Sequence, residues 1–409
     1  MHIVIVFHTS LPQHIQGGIN TMIVTLAREW VALGHRVSIF APGEWHHRRW
    51  TTETFEKITI HKKRMRRPWE KKRKVRSVLG FILEAPVLLW QLWRFCQREQ
   101  VDVIHLHTPR SYQWYILWLQ RFRGPPYVLT FHGTDALDFA NGTPAEFSLM
   151  YRVVREARAL TSVSRHYAQH IENRFPELGT IHYLANGIDL SGSTPGLVGR
   201  KETPFPGPLP QHYFIIVGWV EPPKAQDVII KAWGFLKEAA PELHVLIIGK
   251  EAVYSSGESF YPGYRDSLET LIDNLGCRNR VHLLGGLDPE TLLYVARRAE
   301  GLVFPSLREG LPYALLEAGA LALPVVCHDI PAFSAIVRHE ENGLLVAGSD
   351  PQQWASAVRR LHEQPKWAKE LGYNLFTTIR DNYSAQIMAR GYLQLFATLT
   401  GTTSDSGAC

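Results

Sequence analysis

Glu309 and Glu317 stand eight residues apart in "SLREGLPYALLEAGA" (306–320), on either side of a Gly-Leu-Pro turn. Pro312 suits the first position of a helix, and the apolar run "YALLEAGALA" supplies its body. Free amide N–H groups at such an N-terminus favour an anion. Glu309, in the loop just before, is an odd neighbour for an anion unless it serves something uncharged beside a phosphate. With helical rise throughout, Glu317 would lie about 12 Å further along the axis, rotated by roughly 80°. A nucleotide sugar has that layout, with hydroxyl-rich sugar, diphosphate and hydroxyl-rich ribose in a row. Carboxylates accept hydrogen bonds from vicinal hydroxyls, while amides and cations hold phosphates. The same residues also read as a first-turn acid favoured by the helix dipole and a solvated helix residue. Spacing alone leaves both readings open.

The elements that must carry these residues alternate. "HIVIVF" at the start is a short apolar run of buried-strand type. "NTMIVTLAREWVAL" has helical spacing, with Asn20 as N-cap and Gly34 as the stop. Strands are expected at "HRVSIF", "DVIHLH" (102–107), "YVLTF" (127–131), "ALTSV" (159–163) and "TIHYL" (180–184). Residues 190–210 hold five Pro and four Gly without periodicity, which marks a boundary. Alternation then resumes with "YFIIVG", "LHVLIIG", "RVHLLG", "GLVFPS", "PVVCH" and "GLLVA", separated by helical patterns. Strand-helix alternation means parallel sheet covered on both faces. The expected organisation is a first α/β domain over 1–190, a linker over 191–210 and a second α/β domain over 211–383. A C-terminal helix over 384–400, with the option of packing back on the first domain, precedes a disordered tail at 401–409. In sheets of this kind ligands bind outside the carboxyl ends of strands, and a deep cleft between two such domains is the default site.

A chain of 409 residues with 45% apolar and 20% charged content is ordinary globular material for two domains. Cys96, Cys277, Cys327 and Cys409 lie far apart without a Cys-x-x-Cys pair. That argues against structural zinc or a disulfide framework and suits a reducing cytosol. No basic head or long apolar run follows Met1, so a cleaved signal peptide is not expected. The net charge of +6 conceals a local patch: residues 57–76 carry eleven Lys/Arg and one acid. "SVLGFILEAPVLLWQLWRF" (77–95) follows, broken by Glu84 and Pro86 and too short for a spanning helix. Basic patch plus Leu- and Trp-rich helix suits docking on an anionic membrane surface through residues 57–95. The plainer reading is a solvated loop and a core helix. Nucleic acid is not expected as a partner, because no aromatic-interleaved groove or helix-turn-helix pattern accompanies the lysines.

The segment at 306–320 resembles the Glu-x7-Glu signature of retaining GT-B glycosyltransferases, especially glycosyltransferase family 4. The likeness runs along almost the whole chain: "GGINTMIVTLAREWVALGHRV", "DVIHLHTP", "TFHGTD", "VSRHYAQH", "NGID", "VGWVEPPKAQDVIIKAW" and the stretch from "RVHLLGGLDPETL" to "NGLLV" match in order. The resemblance implies a GT-B fold, two Rossmann-like doubly wound domains facing a deep cleft, the first on the acceptor side and the second binding the nucleotide sugar. Carried over residue by residue, it places Glu309 at the donor sugar near the reacting carbon and Glu317 at the ribose. Backbone amides at Gly310 and Leu311 would line the sugar–phosphate site, and Lys224 would neutralise the departing diphosphate. Gly18 would let its loop approach the phosphates without a side chain, and His132 would sit beside the donor sugar. Plain alternatives stand beside these: a surface lysine, a flexible Gly17-Gly18 turn, a strand-end histidine bonded to backbone.

The resemblance further implies a nucleotide-sugar co-substrate, UDP- or GDP-linked, with no cofactor. It implies a lipid-linked, glycolipid or polysaccharide acceptor at the cytoplasmic membrane face. No Asp-x-Asp signature stands at a strand end, and "DALD" (135–138) has the wrong spacing, so no metal is expected. The chain departs from the family pattern at Trp219, where Arg is usual, at Ala225, where Gly is usual, and at Lys250, where a small residue is common. Arg308 is the candidate replacement for the missing cation. An inverting transferase or epimerase on the same scaffold is the rival within enzymes, and a catalytically silent GT-B docking protein the rival outside them.

Overall fold

A computed structural model describes residues 1–7, 18–43, 50–65, 74–141, 144–191, 207–253 and 258–401. Most of the expected linker, the middle of the basic patch (66–73) and the tail beyond 401 lie outside the described residues. The chain forms two units, Met1–Gly187 with Ala385–Cys409, and Ile188–Ser384.

In the first unit, β1 (His2–Val6), α1 (Gly18–Ala32), β2 (Arg36–Gly43), β3 (Thr51–Phe55), β4 (Ile58–Arg64), α2 (Lys74–Arg98), β5 (Val103–His107), α3 (Trp114–Arg121), β6 (Tyr127–Phe131), α4 (Thr134–Asn141), α5 (Pro144–Arg155), β7 (Ala159–Ser162), α6 (Arg165–Arg174) and β8 (Ile181–Tyr183) follow in order. The sheet runs β3-β4-β2-β1-β5-β6-β7-β8. Every pairing is parallel except β3 with β4. That edge hairpin is a feature the sequence concealed. Ile58 and Ile60 alternate into the core from within the lysine-rich patch, so seven of its twenty residues, Ile58–Arg64, are strand and not solvated loop. Asn20 does not cap α1, because the helix already begins at Gly18. Gly34 ends α1 as expected, in left-handed backbone (φ +83°). Trp30, wholly buried on α1, donates Nε1–H to the carbonyl of Ala389 at 3.1 Å. The C-terminal helix Ala385–Thr400 thereby joins this unit, with Tyr392 and Phe396 packed on Trp30.

The second unit contains β9 (His212–Val217), α7 (Gln226–Ala239), β10 (Leu243–Ile248), α8 (Tyr264–Asn274), β11 (Val281–Gly285), α9 (Pro289–Ala296), β12 (Gly301–Phe304), α10 (Tyr313–Ala320), β13 (Val325–His328), α11 (Pro331–Ser334), β14 (Leu344–Val346), α12 (Pro351–Glu363) and α13 (Pro365–Asn382). Its parallel sheet has the order β11-β10-β9-β12-β13-β14. Counted within the unit this is 3-2-1-4-5-6, the doubly wound order whose chain direction reverses between the first and fourth strands. The switch point therefore lies between β9 and β12. Both strands are short apolar runs, with Phe214, Ile215, Leu302 and Val303 buried, as a sheet covered on both faces requires.

Candidate active site

A ligand site is expected where the loops leaving β9 and β12 diverge, and those loops carry the two charges singled out in the sequence. The β9–α7 loop makes a tight turn at Pro222–Lys224 before α7. The β12–α10 loop runs from Pro305 to Pro312, and its Leu307 N–H donates to the Pro223 carbonyl at 2.9 Å. With the loops tied, Lys224 Nζ meets Glu309 Oε1 at 2.5 Å, and the two side chains are only 17% and 11% exposed. The ammonium also lies 5.9 Å from the centroid of the Phe304 ring. Glu221 completes the cluster. Burial holds its carboxyl above its ordinary range, Lys224 and Arg308 pull it down, and Glu309 pushes it up.

Neighbouring loops are stitched to this pair through backbone. Gly218 N–H donates to the Ile248 carbonyl at 3.0 Å, Val220 N–H to Lys250 at 2.9 Å and Gly249 N–H to Gly285 at 2.8 Å. Gly249 has to be glycine, since a Cβ there would lie 1.6 Å from the Gly218 carbonyl oxygen. The wholly buried Gln226 anchors the Trp219 carbonyl at 2.7 Å and accepts from Tyr264 Oη at 3.2 Å. Trp219 is itself 39% exposed. Arg308 is exposed beside Glu221.

Pro312 turns out to be the residue before α10 and not its first helical residue, with φ −71° and ψ 124°. Its missing N–H is harmless in either place. Glu309 is consequently outside the helix, and the straight-helix separation of about 12 Å expected from sequence does not describe the pair. The Gly310 N–H meets no protein acceptor among the described residues, and Leu311 is buried beside it. Glu317, on the second turn of α10, faces a pocket of about 240 Å³ walled by Ile215, Val217, Leu292, Leu302 and Leu321. Burial pushes its carboxyl up to about 7. It is thus no solvated helix residue.

The other two expected site residues belong to the first unit. Gly18 is the exposed first residue of α1, and the loop before it is outside the described residues. His132 follows β6. Its Nε2 is 2.9 Å from Nδ1 of His107, and the rings stack at 5.1 Å. Its backbone N–H, with that of Gly133, is held by the Asp135 carboxylate at the start of α4. "DALD" is accordingly a helix start. Burial drives His132 and His105 down to about 3, and His107 well below its ordinary value. All three are neutral imidazoles at physiological pH.

His107, His105, Asp135 and Glu221 were missed from sequence. The period-2 spacing in "IHLH" already placed His105 and His107 on one face of β5. Nothing local linked them to His132, which arrives from the adjacent strand.

Two family descriptions match the chain in tandem, "Glycosyltransferase Family 4" over residues 16–191 and "Glycosyl transferases group 1" over 200–376. A D-inositol 3-phosphate glycosyltransferase from Jonesia denitrificans is 26% identical over 365 residues, 84% of this chain and 82% of that protein. The protein of that name from Rhodococcus jostii is 29% identical over 275 residues, 64% of this chain. The match spans 59% of the length of that relative. Among solved structures, a sucrose-phosphate synthase from Thermosynechococcus elongatus superposes with a TM-score of 0.78 at 18% identity, over 98% of this chain and 100% of that one. The Anabaena HepE protein in complex with UDP-glucose gives 0.66 at 16% identity, over 97% and 100%. With both parallel-sheet units accounted for by adjoining family matches, the chain belongs to the retaining GT-B glycosyltransferases, in glycosyltransferase family 4.

Proposed function

We propose that the protein transfers a sugar from a nucleotide-sugar donor, with retention of configuration and without a metal, to a lipid-linked, glycolipid or polysaccharide acceptor at the cytoplasmic face of a membrane. The observation that carries the reading is the Lys224–Glu309 pair at the switch point, one helix start away from Glu317 in its apolar pocket. An apolar wall with a single acid fits a nucleoside, base against the leucines and ribose hydroxyls on Glu317. Lys224 then exchanges Glu309 for the diphosphate, and Gly310 N–H turns to the same anion. Freed from the ammonium, Glu309 accepts from the sugar hydroxyls.

In such a transfer the anomeric bond to the phosphate oxygen breaks as positive charge develops on the sugar ring. The acceptor hydroxyl oxygen bonds to the anomeric carbon on the same face, as its proton passes to the leaving phosphate oxygen. The chain's task is electrostatic, with preorganised donors stabilising the departing charge and the acceptor hydroxyl held close. Trp219 leaves one family cation unreplaced, and Arg308 beside Glu221 is the candidate substitute. Calorimetric titration with UDP, GDP and ADP tests donor binding. Silence toward all three would favour a non-catalytic scaffold, and an inverted product would favour the rival enzyme reading. The solved neighbour bound to UDP-glucose makes UDP the first choice.

For the acceptor, the relatives' name offers a phosphorylated cyclitol. The surface of the first unit favours a lipid. Ile82, Leu83, Val87, Trp90 and Trp93 on α2 stay exposed, Leu83 by 74%, while Leu88 and Leu92 bury the opposite face. Trp118 and Phe122 extend the exposed set, and Trp93 Nε1–H is fixed on the Phe122 carbonyl at 3.0 Å. Among the described residues no helix is long and apolar enough to cross a membrane, so the contact proposed is peripheral. Flotation on anionic vesicles at low salt should retain the protein, and reversing charge at Lys71, Lys72, Arg73 and Lys74 should release it. Retention by uncharged vesicles alone would remove the role of the patch.

A further inference from the structure

At the opposite end of the second sheet, where the parallel strands begin, four side chains converge that the transfer chemistry does not use. His212 opens β9, Glu300 immediately precedes β12, Glu242 immediately precedes β10, and His362 lies in the last turn of α12. His212 Nδ1 is 2.5 Å from one oxygen of Glu300, and His362 Nδ1 is 2.7 Å from the other. One donor atom from each of the three falls within 4.8 Å of the others. The imidazoles approach from different directions, with ring planes 79° apart and centroids 5.4 Å apart. His362 turns its second nitrogen, Nε2, onto Glu242 Oε1 at 2.8 Å. A ring with one nitrogen toward a shared centre and the other on a carboxylate is how outer acids orient metal-binding histidines.

We propose that His212, Glu300 and His362 bind one zinc ion, with Glu242 orienting His362 and water filling the fourth position. Zinc takes nitrogen and oxygen ligands at about 2.0–2.2 Å in a tetrahedron, which sets the ligand atoms about 3.3 Å apart. The gaps on Glu300 need to open slightly and the remaining one to close, within the reach of side-chain rotation. Two imidazoles with one carboxylate favour zinc over magnesium or calcium, which prefer oxygen ligands. The side chains of His212, Glu300 and His362 are 36%, 26% and 15% exposed, so an ion can enter from solvent. No cysteine takes part, and cysteine spacing therefore gave no sign of the site. Lying at the end of the sheet away from the switch point, the ion would not touch the donor. It would clip β9 and β12 to α12, elements far apart in sequence, and stabilise the unit by binding the folded form alone.

The test is titration of the metal-stripped full chain with zinc chloride by calorimetry, paired with thermal melting. One equivalent should bind and raise the melting midpoint, while magnesium chloride should not. His212→Asn and His362→Gln should each weaken zinc by about 100-fold or more, and Glu242→Gln by about 10- to 100-fold. His244→Gln, altering the separate His244–His282 pair, should leave the isotherm unchanged. If His362→Gln fails to fold, His212→Asn carries the same reading, because it spares both contacts of His362. No zinc isotherm, an isotherm that His212→Asn leaves within twofold, or an equal loss with His244→Gln would each overturn the assignment.

Discussion

Lys224 and Glu309 of the second unit meet as ions at 2.5 Å, whereas His107 and His132 of the first meet as neutral rings at 2.9 Å. Both pairs stand at carboxyl ends of parallel strands, the ionic pair across the switch point between β9 and β12, and the histidine pair across β5 and β6, one strand beyond the corresponding point between β1 and β5. The difference follows from what each pair can share. Ammonium and carboxylate make a short, charge-assisted contact. Imidazole ionises near pH 6.5, and burial without a carboxylate partner strips its proton. One unit thus offers fixed charge, suited to an anion, and the other offers neutral donors and acceptors, suited to hydroxyls.

Breaking the ionic half should have the largest effect. Lys224→Ala is expected to lower kcat/KM by about 10²- to 10³-fold, the loss typical of removing one preorganised group opposite developing negative charge. It should also weaken UDP binding, and equal affinity would count against phosphate contact. Glu309→Gln should abolish measurable transfer. It should also melt lower, because an ammonium only 17% exposed that loses its partner should cost about 3 kcal/mol, the low end of the range for breaking a buried ion pair. Lys224→Met combined with Glu309→Gln should regain stability without regaining activity, a coupling that a double-mutant cycle measures directly.

Acid should break the neutral half next. His105 and His132 have folded values of about 3 against 6.5 for the free side chain. A depressed histidine value means that the unfolded chain binds more protons. The stability these rings contribute is present above pH 6.5 and is lost as pH falls toward 3. At pH 4.5 the loss is about 2–3 kcal/mol for each ring. Asp135, pushed up to about 6 by burial, offsets part of it in the opposite sense. Protection factors at β5 and β6, corrected for the intrinsic exchange rate at each pH, should fall between pH 6.5 and 4.5 more than those at β9 and β12. An equal fall in both sheets would remove the contrast.

What the sequence made legible follows the same divide. Glu309, Gly310, Leu311 and Glu317 lie within nine residues, so one strand-loop-helix reading brings them together. Lys224 joins through the switch-point rule, which needs only strand order. The histidine stack is built across β5 and β6, and β-strand partners cannot be read from either strand by itself. The β3–β4 hairpin was hidden for a different reason: the apolar alternation of β4 stops after Ile58 and Ile60, and Lys62, Lys63 and Arg64 complete the strand. Pro312 shows the limit at helix ends, where a shift of one residue changes which group counts as helical.

Glu317 sharpens the comparison from the other side, as the acid in the second unit that burial does affect strongly. Its value rises from 4.5 to about 7, so the folded chain binds the extra proton. The stability it contributes is full below pH 4.5 and disappears as pH rises through 7, opposite in sense to the histidines. Glu317→Gln should therefore match the parent at low pH and exceed it at about pH 8 by about 1–3 kcal/mol, the lower figure reflecting partial exposure. Protection of β9 and β12 read across that range checks it. A variant less stable than the parent at pH 8 would mean that the carboxylate is satisfied in the fold.

Ala225 tests the smallest term, the backbone that aims Lys224. It holds a left-handed conformation at φ 50° and ψ 39°, where the family usually has glycine. Chirality makes this cost about 1–2 kcal/mol for any residue with a Cβ. Glycine would relieve that strain, yet it would give up a methyl group that is 3% exposed in the core, worth about 0.8 kcal/mol. Glycine would also loosen the unfolded chain by about 0.4–1 kcal/mol. The terms nearly cancel, so Ala225→Gly should change stability by less than about 1 kcal/mol and leave transfer within a few-fold. Ala225→Val adds β-branched crowding to the same strained backbone with no gain in room. It should destabilise by more than the glycine variant and depress Lys224-dependent transfer with it. If glycine instead raised the rate tenfold, the present turn would be holding the ammonium off its target, and the ion pair with Glu309 would be a resting arrangement that the loop enforces.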